Sequence, residues 1–197
     1  MAISNTKIAN LALIEIGVKR IDSISDESER AGIMNDLFDQ ARDAMLEGYQ
    51  WNFAMKRAAL TSKTITTEQA LEFTNAWNVP NDPYSLRVTE IIESDEFFKV
   101  EGRTLLTNLT SGVSVKYIAR IEDPVQFTPS FIEALVAILA SKAAGSAIKK
   151  DAELKATFFA IHEELLLKAK GNDGQEGTAA DFSSSELTDV RFQVGGI

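Results

Sequence analysis

Phe131-Ile132-Glu133-Ala134-Leu135-Val136-Ala137-Ile138-Leu139-Ala140-Ser141-Lys142-Ala143-Ala144-Gly145-Ser146-Ala147, followed by Ile148-Lys149-Lys150 and then Asp151 to Lys170, is the stretch that decides the fold. Phe131, Leu135, Ile138 and Leu139 recur at helical spacing, with Ile132 and Val136 filling the next face. A helix apolar on so much of its circumference is buried on more than one side. Its second half is small (Ala137, Ala140, Ala143, Ala144, Gly145, Ala147), which lets a second backbone approach closely and places this helix in the middle of a bundle. Glu133 and Lys142 interrupt the run well short of the roughly 20 apolar residues that a bilayer demands. After the turn at Ile148-Lys149-Lys150, Asp151 is an N-cap for a further helix, whose stripe is Leu154, Phe158, Ile161 and Leu165.

Working outward, Ser4 or Asn5 caps a first helix with Ile8, Leu11, Ala12 and Ile16 on its stripe and Gly17 at its left-handed terminus. Val18 to Ser25 reads as an extended connection laid on the core through Ile21 and Ile24. Asp26 and Glu29 look like a capping box for a long second helix. Its apolar face is Met34, Leu37, Phe38, Ala41, Met45 and Tyr49, and its charged face is Asp36, Asp39, Arg42, Asp43 and Glu47. The period then shifts to two. Trp51, Phe53 and Met55 alternate, as do Leu71, Phe73, Trp77 and Val79, and Leu86 and Val88 with Ile92. Phe98 to Val100 and Thr104 to Leu106 flank a tight hairpin at Glu101-Gly102-Arg103. Val113, Val115, Tyr117, Ala119 and Ile121 form the most regular strand, which Asp123-Pro124 ends, and Pro129 opens the central helix.

Helices, then strands, then helices predict an α+β fold. Residues 1–50 and 124–170 are expected to form one helical bundle, 51–123 an inserted antiparallel β module, and 171–197 a flexible C-terminal tail. That tail is rich in glycine and serine yet keeps Phe182, Leu187, Val190, Phe192, Val194 and Ile197. It reads either as a frayed terminus or as a partner-binding segment that becomes a strand on another sheet.

Chemistry is scarce. The 197 residues include no cysteine and one histidine, which excludes disulfides, thiol catalysis and any multi-histidine metal site within one chain. His162 reads as a packed histidine, Glu163-Glu164 as a solvated face whose carboxylates diverge, and the acids from Asp22 to Glu29 as a helix start without calcium-loop spacing. Trp51 and Trp77 sit in apolar runs and read as core. No phosphate-binding, dinucleotide or zinc-protease motif is present. The sequence gives no catalytic, cofactor or metal residue, and the expectation is a protein that is not an enzyme and needs no cofactor. A net charge of −9 and a pI near 4.7 argue against tight binding of nucleic-acid phosphates. Met1 to Asn5 has neither the charged nor the apolar region of an export signal, so synthesis in a cytosol is expected.

The ordered set of segments resembles a known family. Ile14-Glu15-Ile16-Gly17 ends a short helix. Gly48-Tyr49-Gln50-Trp51-Asn52-Phe53-Ala54 ends a long one and leads to a strand with Leu60. An aromatic-x-x-Pro-x-Asp segment, Trp77 to Asp82, leads to Leu86-Arg87-Val88. Val100 to Thr107 supplies a hairpin, Val115-Lys116-Tyr117-Ile118 a strand, and Ala134 to Ala140 an alanine-rich helix. Over about Asn5 to Lys170 the chain resembles the head-to-tail adaptors of short-tailed bacteriophages, the tail tubular protein A family. It departs from the family where Pro83-Tyr84-Ser85 lengthens the loop before the Leu-Arg-Val strand. The resemblance implies a structural virion protein at the head-tail junction, assembled in the host cytoplasm as a ring usually of about twelve subunits. It implies docking on the portal protein, a platform for the tail nozzle (tail tubular protein B), and a channel through which DNA passes without specific binding, with no membrane involved. A head-completion protein of a long-tailed phage shares the helical plan and is the alternative; a tail-associated glycan hydrolase is a further one, with no carboxylate singled out by spacing.

Overall fold

The computed structural model describes residues 3–176 apart from 93 and 111. Among these, four α-helices and seven strands form an α+β fold: α1 (Asn5–Glu15), α2 (Glu29–Glu47), β1 (Met55–Ala59), β2 (Ser62–Lys63), β3 (Asn75–Asn78), β4 (Ser85–Ile91), β5 (Phe98–Glu101), β6 (Thr104–Thr107), β7 (Ser114–Ala119), α3 (Pro129–Gly145) and α4 (Ala152–Gly174).

Helix α3 is the hub, packed against α1, α2 and α4. Phe131, Leu135 and Leu139 are fully buried along it, and so are Ala134, Ala140, Ala143 and Ala144. The small residues do what their size allows: α4 comes close enough for Ser141 Oγ to donate to the Lys155 carbonyl at 2.8 Å. A Cβ on Gly145 would stand 2.7 Å from Lys155 Cδ, so the lysine stem crosses the helix where glycine leaves room. Thr128 caps α3 with Pro129 in its first turn, and Asp151 caps α4 through the Leu154 N–H.

Helix α1 ends as its sequence predicts. Gly17 has φ +68°, the Gly17 N–H donates to Ile14 and the Val18 N–H to Leu13, each at 2.9 Å, so two terminal carbonyls are satisfied. The connection to α2 lies against α1. The Asn10 side chain accepts from the Ile21 N–H and donates to the Ile21 carbonyl, both at 2.9 Å, and Ile21 and Ile24 are buried. The start of α2 differs from expectation. Ser28 is its N-cap, accepting from Ala31, while Asp26 accepts from the Ser23 N–H at 2.9 Å and closes the preceding turn instead.

The strands form two antiparallel sheets, ordered β1-β7-β4 and β2-β3-β6-β5. Strand β7 is central in the first; Val115, Tyr117, Ile118 and Ala119 are all buried on it. Strand β4 bears two register irregularities against β7. Leu86 and Val88 alternate with the exposed Arg87, but the shift between Val88 and Glu90 changes the period, so Ile91 is buried and Ile92, expected on the same run, is exposed. The predicted hairpin is present, with β5 and β6 joined through Gly102-Arg103 and Gly102 at φ +58°. The sheets meet where the Leu60 N–H donates to Val113 and the Asn78 N–H to Thr61, at 2.8 and 2.9 Å. One buried cluster runs from the helices through Trp51, Leu60, Trp77, Leu105 and Tyr117; Phe73, Ala76 and Leu106 form a smaller one.

Three further expectations need correction. The alternation from Leu71 to Val79 is a strand only over Asn75–Asn78. Before it, Thr66 and Gln69 exchange backbone and side-chain hydrogen bonds at 3.2 and 3.3 Å, a reciprocal cap that winds Gln69–Leu71 into a 3-10 turn and leaves Leu71 exposed. Trp51 and Phe53 do not belong to a strand either; Asn52–Ala54 is a 3-10 turn and β1 starts at Met55. Finally, 171–174 are not tail but the last turn of α4. Glycine is a poor helix former, yet tertiary bonds described below hold this turn.

Candidate partner-binding surface

The residues singled out in the tail (Phe182, Leu187, Val190, Phe192, Val194 and Ile197) lie outside the described residues. The candidate surface is therefore built from the elements that lead to them.

The first feature is the junction between α2 and β1. Trp51 is fully buried, and its Nε1–H donates to the Met45 carbonyl at 2.8 Å, one of the carbonyls that the end of α2 leaves unpaired. Tyr49 and Phe131 pack edge-on to Trp51 with ring centroids 4.9 and 5.0 Å away. Phe53 and Phe127 extend the group, at 5.2 and 5.0 Å from Phe131. Both tryptophans are core, as the apolar runs predict.

Helix α4 is fastened to this junction at its far end. The Asp173 carboxylate accepts the Asn52 N–H at 3.1 and 3.2 Å, and Asn52 Nδ2 donates to the Asp173 carbonyl at 2.6 Å. Tyr49 OH donates to the Lys170 carbonyl at 3.3 Å. Burial pushes the Asp173 carboxyl above its ordinary range; the Asn52 N–H pulls it down, and the Glu176 charge pushes it up. Sequence reading overlooked Asp173 because a lone aspartate among glycines looks like loop.

The second feature is a groove on the outer side of the bundle, about 330 Å³ in volume, between α1, α3 and α4. Leu11, Ile132, Val136, Phe158, Ile161 and Leu165 line it, and Glu15 and Glu133 stand at it. Leu11 and Ile161, expected on buried stripes, are 37% and 39% exposed, with Ile14 beside them at 51%. The reason is geometric. Both α1 and α4 pack on α3 without packing extensively on each other, so the flank of each stripe stays open. The core-facing line of α4 is instead His162, Ala169 and Asp173.

His162 is buried, and its Nδ1–H donates to the Ala134 carbonyl at 2.9 Å; this is a packing role. Glu163 and Glu164 are both exposed. Among the described residues no group of three or more His, Cys, Asp or Glu could hold a metal ion, and no helix is long and apolar enough to cross a membrane.

A charged network ties α2 to the sheet. Arg42, expected on a solvated face, is buried and pairs with Asp39 and Asp43 at 2.9 Å each. Arg120 reaches the other Asp43 oxygen at 2.6 Å. The guanidiniums of Arg120 and Arg103 lie 4.7 and 4.1 Å from the centre of the Tyr84 ring. Arg103 also donates to the Pro80 and Ser85 carbonyls and to Asn81 Oδ1. The loop at Pro83-Tyr84-Ser85 is thus held by two arginines.

The described residues thus present an open apolar groove beside a buried aromatic junction, in a chain of net charge −9. No protein-family model matches the chain, and no curated protein matches it.

Proposed function

We propose that the chain is a head-to-tail adaptor subunit of a short-tailed bacteriophage. Copies assemble as a ring beneath the portal, prolong the DNA channel and present a platform to the nozzle protein. The observation that carries this reading is the Gly48–Ala54 junction. The aromatic residues of that junction, Tyr49, Trp51 and Phe53, join the bundle to the sheet, and Tyr49 together with Asn52 receives the end of α4. A resemblance resting on scattered surface residues would carry less weight than one resting on the joint of the fold.

Two further observations support it. The chain carries 29 acidic against 20 basic residues, and a negative wall lets DNA slide without adhering. The aromatic joint and the charged network hold bundle and sheet as one block, which suits a subunit whose faces must meet neighbours at a fixed angle for a ring to close.

The experiment is to mix the purified chain with its cognate portal and follow it by sedimentation and electron microscopy. A ring-shaped complex with the chain seated on one end of the portal is expected. Failure to form any such complex across a range of salt concentrations would overturn the proposal.

A further inference from the structure

We propose that the groove between α1, α3 and α4 is a docking site for the chain's own residues Val190–Val194, which cover it in the free protein. The inference goes beyond the adaptor reading and does not depend on it.

The groove specifies its occupant by shape and charge. Its lining is aliphatic and aromatic, and the ionisable groups along it are two carboxylates, Glu15 and Glu133. A matching segment has apolar side chains on one side and a cation near them. Residues 177–197 lie outside the described residues, and their sequence contains one such segment. In Val190-Arg191-Phe192-Gln193-Val194, an extended backbone directs Val190, Phe192 and Val194 to one side. Arg191 is the single cation after Lys170, and its long stem can fold back over the groove edge to a carboxylate. The other apolar residues of this region fit worse. Phe182 follows Asp181 and Leu187 follows Glu186 with no cation beside either, so the carboxylates of the groove repel both, whereas the charge of Asp189 before Val190 is offset by Arg191 next to it.

Reach favours the chain's own segment over another molecule's. The end of α4 is fixed by the Asp173–Asn52 and Tyr49–Lys170 bonds, so Glu176 is a defined point of departure. At 1.5 Å per residue, Leu165 and Phe158 lie about 16 and 27 Å back along the helix from it. The 14 residues from Glu176 to Val190 span up to about 46–50 Å, enough to double back with slack. A short tether presents its end at an effective concentration in the millimolar range, well above that of a second copy in dilute solution.

The absence of native cysteine makes the test direct. In the full-length chain, Ile161→Cys puts a thiol in the groove and Val194→Cys puts one on the docking segment. Ala160→Cys with Val194→Cys is the control, one residue away and on the outward face of α4. Under mild oxidation the first pair is expected to close an intrachain disulfide about tenfold faster, or more, than the control. Adding Val190→Asp and Phe192→Asp should erase the difference. Equal rates for the two pairs would overturn the proposal. So would disulfide-linked dimers as the main product of the Ile161→Cys pair, which would make a second copy the occupant.

Discussion

Replacing Asp173 separates two things that its carboxylate does. In Asp173→Ala the Asn52 N–H loses both acceptor oxygens, which stand at 3.1 and 3.2 Å. Stranding a partly buried donor costs about 1–3 kcal/mol, and for a chain of this size each kcal/mol lowers the melting temperature by about 2–4 °C. Thermal unfolding followed by circular dichroism should therefore shift down by roughly 2–12 °C. Asp173→Asn keeps an oxygen for the same N–H and removes the charge that burial disfavours, so at neutral pH it should melt close to the wild type or above it. The two proteins should also differ in pH dependence. Because the folded-state carboxyl is held above its ordinary value near 3.8, the folded chain binds this proton more tightly than the unfolded chain does. The stability it contributes is full below pH 3.8 and is lost as pH rises through the raised value. Wild type should lose this increment across that window and then stay level, whereas Asp173→Asn should not lose it. If Asp173→Asn proves as damaging as Asp173→Ala at pH 7, or if the alanine variant melts with wild type, the fastening of α4 described above is wrong.

Two other perturbations address the hub and the hairpin. Ala140→Leu forces extra methylenes into a fully buried position and should destabilise by about 1–3 kcal/mol in a denaturant titration, whereas the same change at the exposed Ala160 should leave the midpoint nearly unmoved. Gly102→Ala meets no atom within 4 Å but must hold φ +58°; an expected loss of about 1–2 kcal/mol, with Gly102→Asn losing less, would show that backbone conformation alone selects the glycine.

The helices were legible because their signals are local. The apolar circumference of α3, the Asp151 cap, Pro129 in the first turn of α3, and the Gly17 terminus are each written in a few neighbouring residues. The hairpin at Gly102 was legible for the same reason. What sequence reading lost were competitions. Alternation at Leu71 to Val79 suggested one strand, yet the Thr66–Gln69 cap claimed its first residues. Trp51 and Phe53 alternate like a strand, but the Asp173 bond to Asn52 arrives from 121 residues away, a distance no window spans. Arg42 looked solvated because its partner Asp43 is shared with Arg120, which only the fold brings near. The groove was missed by the same logic: Leu11 and Ile161 have the right spacing for burial, and only the way two helices share a third leaves them open.

The central position of α3 has a consequence for how the protein is made. Translation delivers α1 and α2 first, and 82 positions separate Glu47 from Pro129. At about 5–20 residues per second, roughly 4–16 s pass before the ribosome supplies the helix that both await. Throughout that interval Ile8, Leu13, Met34 and Phe38 have no permanent cover. Synonymous codon changes that slow elongation across the strands should therefore lower soluble yield without altering the finished fold.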